Sequence, residues 1–202
     1  MKKSFRLLLL CLLPLSLSGC VTALVGAGAF GVMSATDRRS TGAQADDQVM
    51  EVRIQNTALT HLRNNNTMQG FEPKLSVVSF NRQVLLMGLV ASEADKAFVE
   101  RVARAQPNAE KIYNYIQVAT SARGFGEVSN DSWVTSKVRT TLLGTKGVSS
   151  NHVKVVTYNG VTYVMGILTP EEQALVSNTV STTAGVQQVV TLYETFVPSN
   201  VR

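Results

Sequence analysis

Residues 75–90, LSVVSFNRQVLLMGLV, align without a gap on residues 153–168, VKVVTYNGVTYVMGIL, at a constant offset of 78 positions. Val77, Val78, Asn81, Met87 and Gly88 recur as Val155, Val156, Asn159, Met165 and Gly166. Upstream, Asp47, Met50, Ile54 and Leu59 match Asp131, Val134, Val138 and Leu143. Self-similarity on this scale means that the chain folds as two copies of one unit, and any fold assigned to one stretch must also suit the other.

Within each copy two apolar runs meet at a two-residue turn, Asn81-Arg82 or Asn159-Gly160. Asn-Gly is the strongest short hairpin signal, because both central residues of a type I′ turn need positive φ. From Asp47, which reads as a helix cap, Met50, Ile54, Ala58 and Leu62 fall on one helical stripe, with Glu51, Arg53, Gln55 and His61 off it. Asn64-Asn65-Asn66 and Gly70 end that segment. Residues 75–80 and 84–90 read as strands, residues 93–105 return to helical spacing, and residues 112–118 read as a closing strand. The predicted class is α+β, two tandem helix–strand–strand–helix–strand units, each a three-stranded mixed sheet with two helices on one face. The units span residues 46–118 and 129–198, with a glycine-containing linker at 119–128 and a tail at 199–202. Gly88 and Gly166 share a face with Val84, Leu86 and Val90 and with Thr162, Val164 and Leu168, where a bare backbone is expected to let a helix approach the sheet. Units of about 70 residues are marginal alone, so the copies are expected to share an interface.

The N-terminus carries Lys2, Lys3 and Arg6, then an apolar run from Leu7 to Leu17 broken by Cys11, Pro14 and Ser16, and then Ser18-Gly19-Cys20. Eleven residues rise only about 16 Å as a helix, half a bilayer core, so residues 1–19 read as a signal peptide and not a membrane span. The last four residues of this stretch resemble the lipobox of bacterial lipoproteins, which makes Cys20 the first mature residue and the carrier of covalent acyl chains. Several chains hold far better than one, at about 0.8 kcal/mol per buried methylene. No other cofactor is expected. Residues 20–45 read as a flexible tether. Gly26, Gly28 and Gly31 fit G-x-G-x-x-G, but a dinucleotide site needs a strand before those glycines, and here a lipid anchor precedes them.

Export and charge exclude several functions. Of 19 Lys+Arg against 14 Asp+Glu, three bases precede Cys20, so the mature chain is only weakly basic and shows no basic stripe interleaved with aromatics that would suit nucleic acid. Removal of Cys11 and acylation of Cys20 leave no thiol for a disulfide, metal or nucleophile. His61 and His152 lie in different copies with no ligand cluster around them, and no spacing of nucleophile and base or of paired carboxylates points to an enzyme. Glu171-Glu172 after Pro170 suits a helix N-terminus.

A hairpin followed by V-x-L-x-G-x-V, present at Val84-Leu86-Gly88-Val90 and, with substitutions, at Thr162-Val164-Gly166-Leu168, resembles the BON domain. Two copies behind a lipobox cover nearly all of the mature chain, although the 64–70 loop of the first is longer than its counterpart. The resemblance implies an outer-membrane lipoprotein facing the periplasm, needed for envelope integrity, whose second copy binds anionic phospholipid. Val21 agrees with outer-membrane sorting, since Asp at that place is the usual retention signal.

The helix from Asp131 carries the candidate lipid-binding residues Asn130, Asp131, Ser132, Trp133, Val134, Lys137 and Arg139. Val134, Val138 and Leu142 form the stripe expected to face the sheet, while Trp133, the only tryptophan, and Lys137 at i+4 turn outward. An indole beside a lysine suits a membrane interface. The same tryptophan would equally serve to pack under the linker or against the first copy. The rival functional class is a periplasmic adaptor that recruits outer-membrane or cell-wall remodelling proteins through its sheets or their edges.

Overall fold

The computed structural model describes residues 37–118 and 125–198; Cys20, the signal peptide, the tether before Asp37, linker residues 119–124 and the tail lie outside the described residues. The elements run α1 (Thr41–Asn64), β1 (Lys74–Phe80), β2 (Gln83–Val90), α2 (Glu93–Arg104) and β3 (Lys111–Val118), then α3 (Phe125–Leu143), β4 (Val153–Tyr158), β5 (Val161–Leu168), α4 (Pro170–Ser181) and β6 (Gln188–Thr195). Each sheet is three-stranded with its second strand central, antiparallel to the first and parallel to the third. Both copies therefore have the expected α+β order and mixed sheets.

Two expected boundaries move. α1 starts six residues before Asp47, because Ser40 supplies the cap by accepting from the Ala43 amide at 3.1 Å. Asp47 is no cap but a buried member of the stripe that also holds Ala43, Met50, Ile54, Ala58 and Leu62. Likewise the end of the expected linker, residues 125–128, is the first turn of α3.

Asp47 does something else. Its carboxylate accepts from the backbone N–H of Asn81 at 2.8 Å, of Arg82 at 2.7 Å and from Ser79 Oγ at 2.7 Å. Asp131 does the same for the second hairpin, accepting from the Asn159 and Gly160 amides at 2.6 and 3.0 Å. Asn81, Arg82 and Asn159 hold φ of 51°, 63° and 51°, the left-handed geometry a type I′ turn demands. The buried acid thus fixes its helix to its hairpin.

Gly88 and Gly166 are required, though not by a helix. A Cβ on Gly88 would stand 2.3 Å from the Lys74 carbonyl, and one on Gly166 2.9 Å from that of His152. The chain entering the neighbouring edge strand crosses there, backbone on backbone.

β2 is buried along its whole length. Val84, Leu86 and Val90 pack under α1 and α2, whereas Leu85 and Met87 face the other sheet with Val78 and Phe80, against Tyr163, Met165, Ile167 and Leu192. Val164 and Leu168 of β5 meet α3 and α4. The described residues thus form one compact unit of four layers, helices, sheet, sheet, helices, with a core at each junction. Each sheet hides its second face on the other copy, which is the shared interface expected of two small units. Burial there pushes the Tyr163 phenol up to about 12, with Tyr115 and Tyr158 adding to the effect, and Tyr115 meets Tyr163 edge-on at 4.9 Å. Both turn asparagines reach across the interface, Asn81 Nδ2 to the Glu194 carboxylate and Asn159 Nδ2 to Gln117 Oε1, each at 3.0 Å.

Two adjacent arginines tie the copies at the start of α1. Arg38 donates to the Ile167 carbonyl at 2.7 Å and to both oxygens of Glu172, and lies 4.1 Å from the Phe196 ring. Arg39 pairs with Asp37 and Asp47 and lies over Phe80 at 4.2 Å. Burial alone would raise the Glu172 carboxyl, but hydrogen bonds from Arg38 and from the Thr169 amide leave it below its ordinary value.

Asp131→Ala leaves two turn amides without their acceptor and is expected to lower stability by about 2–4 kcal/mol, read as a lower urea midpoint at unchanged slope. Arg38→Ala, which strands the Glu172 carboxylate against the second copy, should cost at least about 1 kcal/mol by the same measurement. Unchanged midpoints would remove these contacts from the account of the fold.

Candidate membrane-interface site

α3 presents three sides. Val134, Val138 and Leu142, all at most 2% exposed, face the sheet. Asp131 sits on that side, 5% exposed and spent on the hairpin. Asp131 and Val134 were expected at a lipid site, and the structure corrects both: one is the turn clamp, the other core, and neither reaches the surface. Asn130 and Ser132 are exposed, with Ser132 Oγ donating to the Val128 carbonyl at 3.0 Å.

On one flank Trp133 is 53% exposed, and Lys137 Nζ lies 4.5 Å above its ring, a cation–π pair one helical turn apart. The indole rests on Gly185, in the turn after α4, where a Cβ would come within 2.8 Å of Trp133 Cζ3. Gly185 holds φ of 102°, so the turn and the seat of the ring both need glycine. Nothing near Trp133 in the sequence marks Gly185, some fifty residues away.

Arg139 is not part of that pair. Six residues at 3.6 per turn place it about 120° round the helix from Trp133. There its Nη2 donates to the Val155 carbonyl at 2.7 Å, while the Thr157 amide donates to Thr135 Oγ1 at 2.8 Å. The first copy uses the aligned positions on the same strand edge with different partners: Gln55 donates to the Leu75 carbonyl at 2.7 Å and accepts from the Val77 amide, and Glu51 accepts from the Ser79 amide. In both copies the first helix spends an i, i+4 pair on the outer edge of the first strand, which blocks pairing with another chain there. The duplication aligns Gln55 with Arg139, a signal that was available in sequence.

His61 stacks on Phe98 at 3.6 Å, no group of three His, Cys, Asp or Glu could hold a metal among the described residues, and no described helix is long and apolar enough to cross a membrane.

Gly185→Ala should displace the indole, shifting the emission of this lone tryptophan and lowering stability by about 1 kcal/mol or more; an unchanged spectrum would mean that Trp133 is not seated there.

Comparison with known proteins places the arrangement. The BON domain matches at residues 51–120 and again at 130–192. The chain is 29% identical over 178 residues to the outer membrane lipoprotein DolP of Haemophilus influenzae, covering 88% of this chain and 89% of that protein. It is 29% identical over 154 residues to a 21 kDa hemolysin of Actinobacillus pleuropneumoniae, covering 76% of each. A solved structure of CdsD, a structural protein of the type III secretion system of Chlamydia trachomatis, aligns over 73% of this chain and 63% of that one, less than two thirds, at 16% identity and a TM-score of 0.29, too low to support any argument. With both repeats matched and the DolP likeness running nearly end to end, the chain belongs to the BON-domain family and is a dual-copy outer-membrane lipoprotein.

Proposed function

We propose that this lipoprotein binds anionic phospholipid through its second copy and so sustains envelope integrity, with enrichment at division sites. The observation that carries the reading is the Trp133–Lys137 flank, an indole half in solvent with an ammonium 4.5 Å above it, on the outward layer of the molecule. An amphipathic ring beside a cation is the side-chain chemistry of a headgroup layer. Lys137 brings about 1 kcal/mol near an anionic surface, weak by itself. A chain anchored through Cys20 meets that surface at high effective concentration, so a weak contact suffices to orient the domain.

A second reading, a periplasmic adaptor for envelope or cell-wall remodelling proteins, draws on β3, an edge strand on which Tyr115 and Val118 are 38% and 42% exposed. One titration separates the two. Residues 21–202 are mixed with phosphatidylglycerol or phosphatidylcholine vesicles at two salt concentrations while Trp133 emission is followed. A blue shift with the anionic vesicles only, weaker in salt and lost in a folded Trp133→Glu variant, is expected. Anionic-vesicle binding that survives Trp133→Glu would remove Trp133 from the lipid site, no binding to either vesicle would sink the lipid reading, and lipid-independent co-purification of a partner would favour the adaptor.

A further inference from the structure

Asn159-Gly160 is the one Asn-Gly pair in the chain, and it forms the tip of the second hairpin. An asparagine before glycine is the pair most prone to lose its side-chain amide, because a residue without a Cβ leaves its backbone nitrogen open to the neighbouring carboxamide carbon. Asn159 is exposed, so water reaches it.

The fold holds the two reacting groups to different partners. The Gly160 amide donates to Asp131 Oδ1 on α3 at 3.0 Å, while Asn159 Nδ2 donates to Gln117 Oε1 on β3, also at 3.0 Å. The Asn159 amide donates to Asp131 Oδ2 at 2.6 Å, and φ of 51° and 76° at the two positions keeps the turn left-handed. The attacking species in amide loss is the deprotonated backbone nitrogen. A carboxylate bonded to that N–H opposes its formation twice, as hydrogen-bond acceptor and as like charge, and Asp131 is buried where water screens it little. Asp47 gives the first hairpin the same amide contacts, but there Arg82 follows Asn81 and its side chain crowds the path. The liability belongs to the second copy alone.

We propose that Asn159 is a spontaneous modification site held closed by Asp131, and that it converts to aspartate or isoaspartate when α3 parts from the second hairpin. Gly160 N gives up its proton and bonds to Asn159 Cγ, the Cγ–Nδ2 bond breaks, and ammonia leaves with that proton. Water then adds to either carbonyl of the cyclic imide and reopens it as a carboxylic acid. The product puts a second negative charge beside Asp131 and removes the donor to Gln117, and the isoaspartyl form also lengthens the backbone of a two-residue turn. Conversion thereby makes a transient opening permanent. The inference involves neither lipid nor partner and stands apart from both functional readings.

Residues 21–202 are aged in weakly alkaline buffer, and Asn159 is followed by peptide mass spectrometry. The native protein should convert at least about tenfold more slowly than the same chain unfolded in urea. Asp131→Asn, which removes the charge and keeps an acceptor, should accelerate native conversion severalfold. Val138→Ala, a core truncation two turns along α3, should lower the urea midpoint without that acceleration, and Asn81 should stay an amide throughout. Converted protein should exchange the backbone hydrogens of the turn and of the start of α3 faster than the parent. The inference is overturned if native and unfolded chains convert at one rate, if Val138→Ala accelerates conversion as much as Asp131→Asn, if Asn81 converts alongside Asn159, or if converted protein keeps the parent's protection.

Discussion

A buried carboxylate on the first helix of each copy, closing on the amides of a left-handed turn, is the contact from which the rest of the architecture follows. Asp47 and Asp131 hold hairpins whose tips are kept at positive φ, and a hairpin so held has its register set by the two-residue loop. Register then decides which side chains of β2 and β5 face the helices and which face the other sheet, since a slip of one residue would exchange the sets. The asparagines at those tips also send their side chains into the opposite copy. One turn therefore couples helix placement, strand register and pairing of the copies.

That pairing restricts where a membrane or partner can act. With both sheets facing inward, the broad apolar faces that isolated copies would show to water are consumed, and what is left outside is helix surface and strand edge. Two of the edges are capped by Glu51 and Gln55 and by Thr135 and Arg139. Arg38 binds the second copy and Arg39 the first, so the segment immediately before α1 joins the copies.

α3 concentrates these demands: one side of its nineteen residues carries the core stripe and the turn clamp, and its two flanks carry the edge cap and the tryptophan. Its outward side carries none of the amphipathic contrast of a free membrane helix. On the proposed reading, lipid contact on such a helix would depend on a few residues placed by the fold, chiefly an indole seated on a distant glycine.

The amino-acid sequence by itself determined the duplication, the element order and the stripes of α1 and α3, because apolar period and turn chemistry are local and are written twice. It also marked Trp133 and Lys137 as neighbours, since one helical turn joins them whatever the tertiary context. Tertiary structure alone decided that Asp47 and Asp131 are clamps and not a cap and a lipid contact, that Gly88 makes room for the backbone of β1, and that Arg139 donates to the backbone of β4. Each of those depends on a partner in another element, and a carboxylate, a glycine or an arginine looks the same in sequence whether it meets solvent, a helix or the backbone of another strand.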